Sequence, residues 1–146
     1  MKLRIYLLLI AIPLVCALGC GNRMKVYDVT GRITVNGESP GTELIITFTN
    51  PDNVTAQGLV SPDGTYTLST LRKNDGAMEG EYRVLLRMAR MEPPEESPDA
   101  ASYFVPIDSK YEAATTSDLT ANVVKGGENV FNFDVAPNPE RRKPKK

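Results

Sequence analysis

Residues 27–37 have the sequence YDVTGRITVNG. Apolar and polar side chains alternate along this stretch, and its apolar members are Tyr27, Val29, Ile33 and Val35. A period of two predicts a β-strand with one buried and one solvated face. Gly31 falls in the apolar series, where a bulge or a close approach of another chain segment would require a glycine. The Asn-Gly pair at the end of the stretch is a strong turn signal and ends the strand.

Six further runs of the same kind follow, separated by turns rich in Asn, Pro, Asp and Gly. The seven predicted strands are 27–35, 43–49, 55–60, 65–69, 81–88, 119–124 and 130–135. The Ser-Pro-Asp-Gly turn at 61–64 predicts that the third and fourth strands form a hairpin. After residue 20 no segment has a convincing helical period, although 109–114 could hold one helical turn. Residues 27–135 are therefore predicted to form an all-β domain, a seven-stranded Greek-key β-sandwich.

The longest segment without a predicted strand is 89–118. Loops of this length in a small domain are usually functional or disordered, and the Pro-rich and Glu-rich residues 91–101 are predicted to be disordered. Three aromatic side chains in the rest of the loop form a candidate binding surface: Tyr103, Phe104 and Tyr111. The alternative is that these side chains cover an open end of the sandwich.

The N-terminal residues have the layout of an export signal. Lys2 and Arg4 precede an uncharged, mostly apolar run of 14 residues, 5–18, and small Gly19 stands directly before Cys20. The run is shorter than the roughly 20 apolar residues that a membrane-spanning helix needs, and a proline interrupts it. We therefore expect 1–19 to be a signal peptide.

Ala17-Leu18-Gly19-Cys20 resembles the lipobox that the lipoprotein signal peptidase cuts. The resemblance implies cleavage before Cys20, acylation of its thiol, and a lipidated tether at 20–26. Cys16 is the rival acceptor, but it follows a bulky valine. Once Cys16 leaves with the signal, Cys20 is the only thiol, so no intramolecular disulfide can form; ordinary secretion remains the alternative. Gly21 stands where an aspartate would favour the inner membrane, so the resemblance favours the outer membrane.

Charge is distributed unevenly along residues 20–146, a length of 127 residues that suits one domain. Residues 21–140 carry 10 basic and 18 acidic side chains, which argues against nucleic acid as a partner. Five cations stand in the last six positions: Arg141, Arg142, Lys143, Lys145 and Lys146. The predicted disordered tail, 136–146, is either simply solvated or attracted to anionic lipid or another envelope polyanion.

Three motifs carry a family resemblance: VTGRITVNG at 29–37, SPDGTYTL at 61–68 and DGAMEGEYRV at 75–84. In this order they resemble the strand and turn motifs of carboxypeptidase regulatory-like, transthyretin-like domains. VPIDSKY at 105–111 and SDLT at 117–120 are also similar to a pattern in small bacterial lipoproteins that carry such a domain. The resemblance implies a β-sandwich that accompanies function without performing catalysis.

Few residues suit catalysis or metal binding. The sequence has no histidine, which excludes His-based triads and His-ligated zinc. Asp75, Glu79 and Glu81, or Asp52 and Asp63, could ligate calcium through oxygen, but their spacing does not match an EF-hand loop. We therefore predict no catalytic site, metal or cofactor.

Two function hypotheses follow from the sequence. The first is a non-catalytic, membrane-anchored lipoprotein that presents a β-sandwich for structural or protein-interaction roles at the cell envelope. The second is a carbohydrate-binding module of the envelope. The sequence has no tryptophan, and most of its aromatic residues fall on inward-facing positions, which favours the first hypothesis.

Overall fold

The computed structural model describes residues 24–89 and 107–139, and these residues form an all-β structure. Its strands are β1 (Val26–Tyr27), β2 (Thr30–Val35), β3 (Leu44–Thr49), β4 (Thr55–Val60), β5 (Thr65–Thr67), β6 (Ala77–Met78), β7 (Gly80–Met88), β8 (Thr120–Val123) and β9 (Val130–Val135). One 3₁₀ helix, Ser109–Glu112, lies in the segment predicted to hold a helical turn. Each of the seven predicted runs contains a strand, but the described residues form nine strands because β1 and β6 pair as an additional short ribbon.

Two sheets pack as a sandwich, as predicted. The small sheet has the order β5-β2-β9 and the large sheet the order β4-β3-β7-β8. β2 and β9 are parallel, whereas the other strand pairs are antiparallel. A parallel pair needs a long crossover connection, and here most of the domain separates the two strands. The first and last long strands therefore lie side by side in one sheet.

The predicted hairpin of 55–60 with 65–69 exists only at its turn. The Ser61 N–H donates to Thr65 O at 2.9 Å, and beyond it only Gln57 and Ser69 exchange backbone hydrogen bonds, of 2.9 and 2.7 Å. β4 pairs with β3 while β5 pairs with β2. Packed sheets stand about 10 Å apart, so strands that belong to opposite sheets must diverge after the turn.

The core is centred on Phe48, which lies in β3 and is fully buried. Its ring has four aromatic neighbours, all in tilted or edge-on geometry, which favours aromatic pairs. The centroid distances are 5.8 Å to Tyr82, 5.9 Å to Phe131, 6.4 Å to Phe133 and 6.5 Å to Tyr66. Tyr82 belongs to the same sheet as Phe48, whereas the other three belong to the opposite sheet. One ring therefore links both sheets.

Gly31 allows the strands of the small sheet to meet closely, which confirms the predicted close approach. A Cβ atom at Gly31 would overlap the Phe131 carbonyl and lie 2.7 Å from the Tyr66 hydroxyl. In the absence of a side chain there, the Tyr66 hydroxyl donates to Phe131 O at 2.7 Å. Burial raises the pKa of Tyr66 well above its usual value, so the hydroxyl keeps the proton that it donates.

The described part of the long loop covers the outer face of the large sheet. Arg83 and Arg87, which point outward from β7, donate to Ser117 O at 3.1 Å and to Glu112 O at 3.2 Å. Leu85 lies between them on the same outward register, yet it is only 8% exposed. The segment 112–117 therefore shields an apolar side chain on a face that the alternation assigned to solvent. Residues 91–101, predicted to be disordered, lie outside the described residues.

Phe48→Ala should lower the free energy of unfolding by about 3–5 kcal/mol, because it removes a ring that both sheets pack against and leaves a cavity. Leu59→Ala is the matched control: Leu59 is 53% exposed, and its truncation should cost less than about 0.5 kcal/mol. Urea unfolding of the purified proteins measures both values. Equal losses in the two variants would contradict the central role of Phe48.

Candidate interaction surfaces

Tyr111 is the only member of the predicted aromatic surface that lies among the described residues. Its side chain is 4% exposed and belongs to the core, and its hydroxyl accepts a hydrogen bond from Ala136 N–H at 3.0 Å. The ring therefore covers an end of the sandwich, as the alternative interpretation required, and is not presented to a ligand. Tyr103 and Phe104 lie outside the described residues.

The predicted lipidation site, Cys20, and the cations of the basic tail, 141–146, also lie outside the described residues. The structure does show where the chain leaves the sandwich. β2 and β9 run parallel, so the residues before β2 and those after β9 lie at opposite ends. We call the end formed by 24–29, 50–54, 69–79 and 124–130 the tether end. We call the end formed by 36–43, 61–64 and 136–139 the far end.

The carboxylates considered for calcium have structural or exposed positions. Asp75 accepts three backbone N–H groups, from Thr70 at 2.7 Å, Leu71 at 3.1 Å and Arg72 at 2.7 Å. These hydrogen bonds hold the pKa of Asp75 below its usual value. Asp63 accepts the Thr65 N–H at 2.9 Å in the turn between β4 and β5. Within 24–89 and 107–139, no group of three or more His, Cys, Asp or Glu side chains is arranged to hold a metal ion.

A cleft of about 630 Å³ opens beside the turn between β3 and β4. Its polar lining includes Asn50, Asn53, Glu81, Arg83 and Asn122, and the partly exposed Phe131 contributes apolar surface. Glu81 and Asn122 lie directly opposite each other on β7 and β8. Amide, carboxylate and guanidinium groups of this kind can hydrogen-bond to ligand hydroxyls. This cleft has no signal in the sequence, because its residues come from separate segments that only the topology brings together.

A second groove, of about 570 Å³, follows the line where β4 and β5 diverge. Ile45 and Leu59 contribute apolar side chains, while Lys73 and Asn74 lie among its polar lining residues. Gly58 forms part of it, and a Cβ atom there would lie 2.6 Å from Thr67 O. The groove is therefore a consequence of the divided hairpin.

The chain matches no family model, no curated protein and no solved structure. In the part of the chain that the structure describes, no helix is long and apolar enough to cross a membrane.

Asp75→Asn should lower the melting temperature at pH 7, because the amide accepts the three N–H groups less strongly than the carboxylate does. A carboxylate whose pKa is lowered in the folded state makes its full contribution to stability at pH values above its usual pKa of 3.8. That contribution is lost as the pH falls through the lowered value, so the difference from wild type should shrink below pH 3.8.

Thermal melts between neutral and acidic pH measure this difference. The control is Asp52→Asn, since the Asp52 carboxylate has no hydrogen bond to any residue that the structure describes. It should not reproduce the pH-dependent difference. A difference between Asp75→Asn and wild type that stays constant down to about pH 2 would contradict the role given to the Asp75 charge.

Proposed function

We propose that the protein is a non-catalytic lipoprotein of the cell envelope, anchored through acyl groups on Cys20, which presents its β-sandwich for structural or protein-interaction roles. The observation that carries the proposal is the short distance between the lipobox and the folded domain. β1 begins at Val26, six residues after Cys20. Six residues span at most about 20 Å when extended, so acylation of Cys20 would hold the sandwich against the bilayer.

The signal layout, the lone thiol left after processing and the resemblance to carboxypeptidase regulatory-like domains support the same proposal. The position of Gly21 favours the outer membrane. An all-β sandwich with two separate sheets is compatible with the resemblance, whose motifs contribute β2, the turn between β4 and β5, and the start of β7.

Exposed strand edges give the sandwich a means of binding proteins. Among the described strands, β9 has a partner on one side only, where it pairs with β2 over six residues. An edge of this length can accept an additional strand from a partner through backbone hydrogen bonds. Val130, Asn132 and Asp134 are exposed along it and would contribute side-chain selectivity.

The basic tail adds a second contact for an anionic partner. It leaves the domain at the far end, whereas the tether leaves at the opposite end. Ala136 and Pro137 are paired with Asp108 and Ile107, so the reach of the tail is set by residues 140–146, which span at most about 25 Å. Its cations would therefore contact an anionic polymer beyond the domain.

Carbohydrate binding is the second candidate, and the polar cleft beside the turn between β3 and β4 favours it. Its amides and carboxylate suit sugar hydroxyls, and Phe131 adds partly exposed aromatic surface. The burial of Tyr111 weighs against the aromatic surface that the sequence suggested for this function.

Cys20→Ala should abolish incorporation of a fatty-acid analogue and release the protein from membranes or leave an uncleaved precursor. Cys16→Ala is the matched control and should behave like wild type. Metabolic labelling followed by fractionation in high salt distinguishes acyl anchoring from attachment through the basic tail. At 1 M salt the Debye length is about 3 Å, so the attraction of the tail is screened while acyl anchoring stays intact. An unlabelled, soluble wild type would contradict the proposal.

Glycan affinity electrophoresis tests the second candidate. If the cleft binds carbohydrate, the protein should be retarded by an envelope polysaccharide, and the double variant Glu81→Ala, Asn122→Ala should lose most of that retardation. Gln57→Ala changes an exposed polar residue outside the cleft and is the control. Retardation that both variants retain would exclude the cleft as the site.

A further inference from the structure

The large apolar side chains exposed on the described residues are concentrated at the tether end. Among residues 24–89 and 107–139 there are five such side chains. Four of them lie at the tether end: Met24 (52% exposed), Leu71 (59%), Val124 (42%) and Val130 (47%). The fifth, Leu59, is 53% exposed and lies on the outer face of β4. Concentrations of exposed apolar side chains commonly mark a binding surface.

The topology brings together the three segments that carry these four side chains. Thr30, at the start of β2, pairs with Thr67 on one side and with Val130 on the other. The loop after β5 and the turn before β9 therefore flank the segment that enters β2. Backbone pairing fixes the same arrangement, since Val26 pairs with Met78 and the Thr30 N–H donates to Asn129 O at 3.1 Å.

Hydrogen bonds order the two turns that carry Leu71 and Val124. The loop that carries Leu71 is closed by the three N–H groups donated to Asp75 and by the Thr70 hydroxyl, which donates to Gly76 O at 2.7 Å. The Asn129 side chain accepts the Val124 N–H at 2.9 Å and donates to Val124 O at 3.1 Å. The exposure of Leu71 and Val124 is therefore a property of ordered turns.

Basic residues accompany the apolar ones. The tether-end segments contain Lys25, Arg72, Lys73 and Lys125, all of them exposed. By contrast, the far-end turns 36–43 and 61–64 have no lysine or arginine and contain Glu38, Glu43 and Asp63. Exposed acidic residues at the tether end, among them Asp28, Glu79 and Glu128, offset its basic charge, so its exposed apolar side chains are what distinguish this end. Apolar side chains with flanking cations are typical of surfaces that lie in a bilayer interface.

We propose that the tether end is a membrane-contact surface. Met24, Leu71, Val124 and Val130 enter the interfacial region of the bilayer, and the neighbouring cations contact phosphates of anionic lipids. The inference rests on the proposed lipid anchor. Cys20 is four residues before Met24, a span of at most about 14 Å, so the anchored chain enters the bilayer next to this surface. In the part of the chain that the structure describes, the far end has neither this proximity nor a large exposed apolar side chain.

The test compares Leu71→Cys with Leu59→Cys in the full, lipidated protein. Acylation occupies the Cys20 thiol, so each variant has one free thiol for a bimane label. Both leucines are similarly exposed, and both labelled proteins should keep the wild-type melting temperature. The vesicles consist of phosphatidylethanolamine and phosphatidylglycerol and contain spin-labelled lipid. Quenching of bimane at 71 should be at least about threefold stronger than quenching of bimane at 59, because interfacial side chains lie roughly 5–10 Å deep, within reach of the spin labels.

Flotation of the same vesicles separates failure of the anchor from failure of the inference. If neither labelled protein floats with the vesicles, the proposed lipid anchor fails. If both float and the label at 71 is quenched no more than that at 59, the membrane-contact surface is overturned while the anchor stands. Equal quenching in purely zwitterionic vesicles would overturn the role of the cations. If the label at 71 is shielded from solvent in cell membranes but not in vesicles, the surface binds a protein partner and the proposal is overturned.

Discussion

Burial of the Phe48 ring between the two sheets is the constraint on which the rest of the structure depends. β3 is an interior strand of the large sheet, so its inward residues, of which Phe48 is the largest, must fill the space between the sheets. Tyr66, Phe131 and Phe133 meet the ring from the opposite sheet. Those contacts require β5 and β9 to lie close to β2, and Gly31 makes that approach possible because a side chain there would strike the Phe131 carbonyl. The glycine and the aromatic cluster are thus two parts of one packing solution.

The strands were predictable from sequence because their signal is local. A period of two with turn residues at each end located all seven main strands. Partner choice is not local, so the parallel pairing of β2 with β9 and the division of the hairpin could not be derived in the same way. Leu85 illustrates a related limit. It occupies an outward register, and its burial follows from the described part of the loop, which lies against β7 and is held there by Arg83 and Arg87.

The candidate sites also differ in whether their signal is local in the sequence. The motif around Cys20 is a continuous stretch, so its interpretation needs no tertiary structure. Tyr111 was ambiguous, because an aromatic side chain in a loop can bind a ligand or cover a core. The Ala136 N–H at the end of β9 resolves this, since the Tyr111 hydroxyl accepts its hydrogen bond. The polar cleft and the tether-end surface draw on several segments each. The isolated apolar residues of the turns, Leu71 and Val124, were the only sequence signal of the latter.

A lipid anchor fixes the position of a domain but leaves its orientation free, because the domain can rotate about a single attachment point. A second contact beside the anchor restricts rotation. If the tether end rests on the bilayer, β2 and β9, which both run from that end to the far end, stand steeply on the membrane. The free edge of β9 is then open to the side, and the acidic turns at 36–43 and 61–64 face away from the lipid. The arrangement keeps these acidic turns away from anionic headgroups and leaves a strand edge accessible to a partner in the envelope.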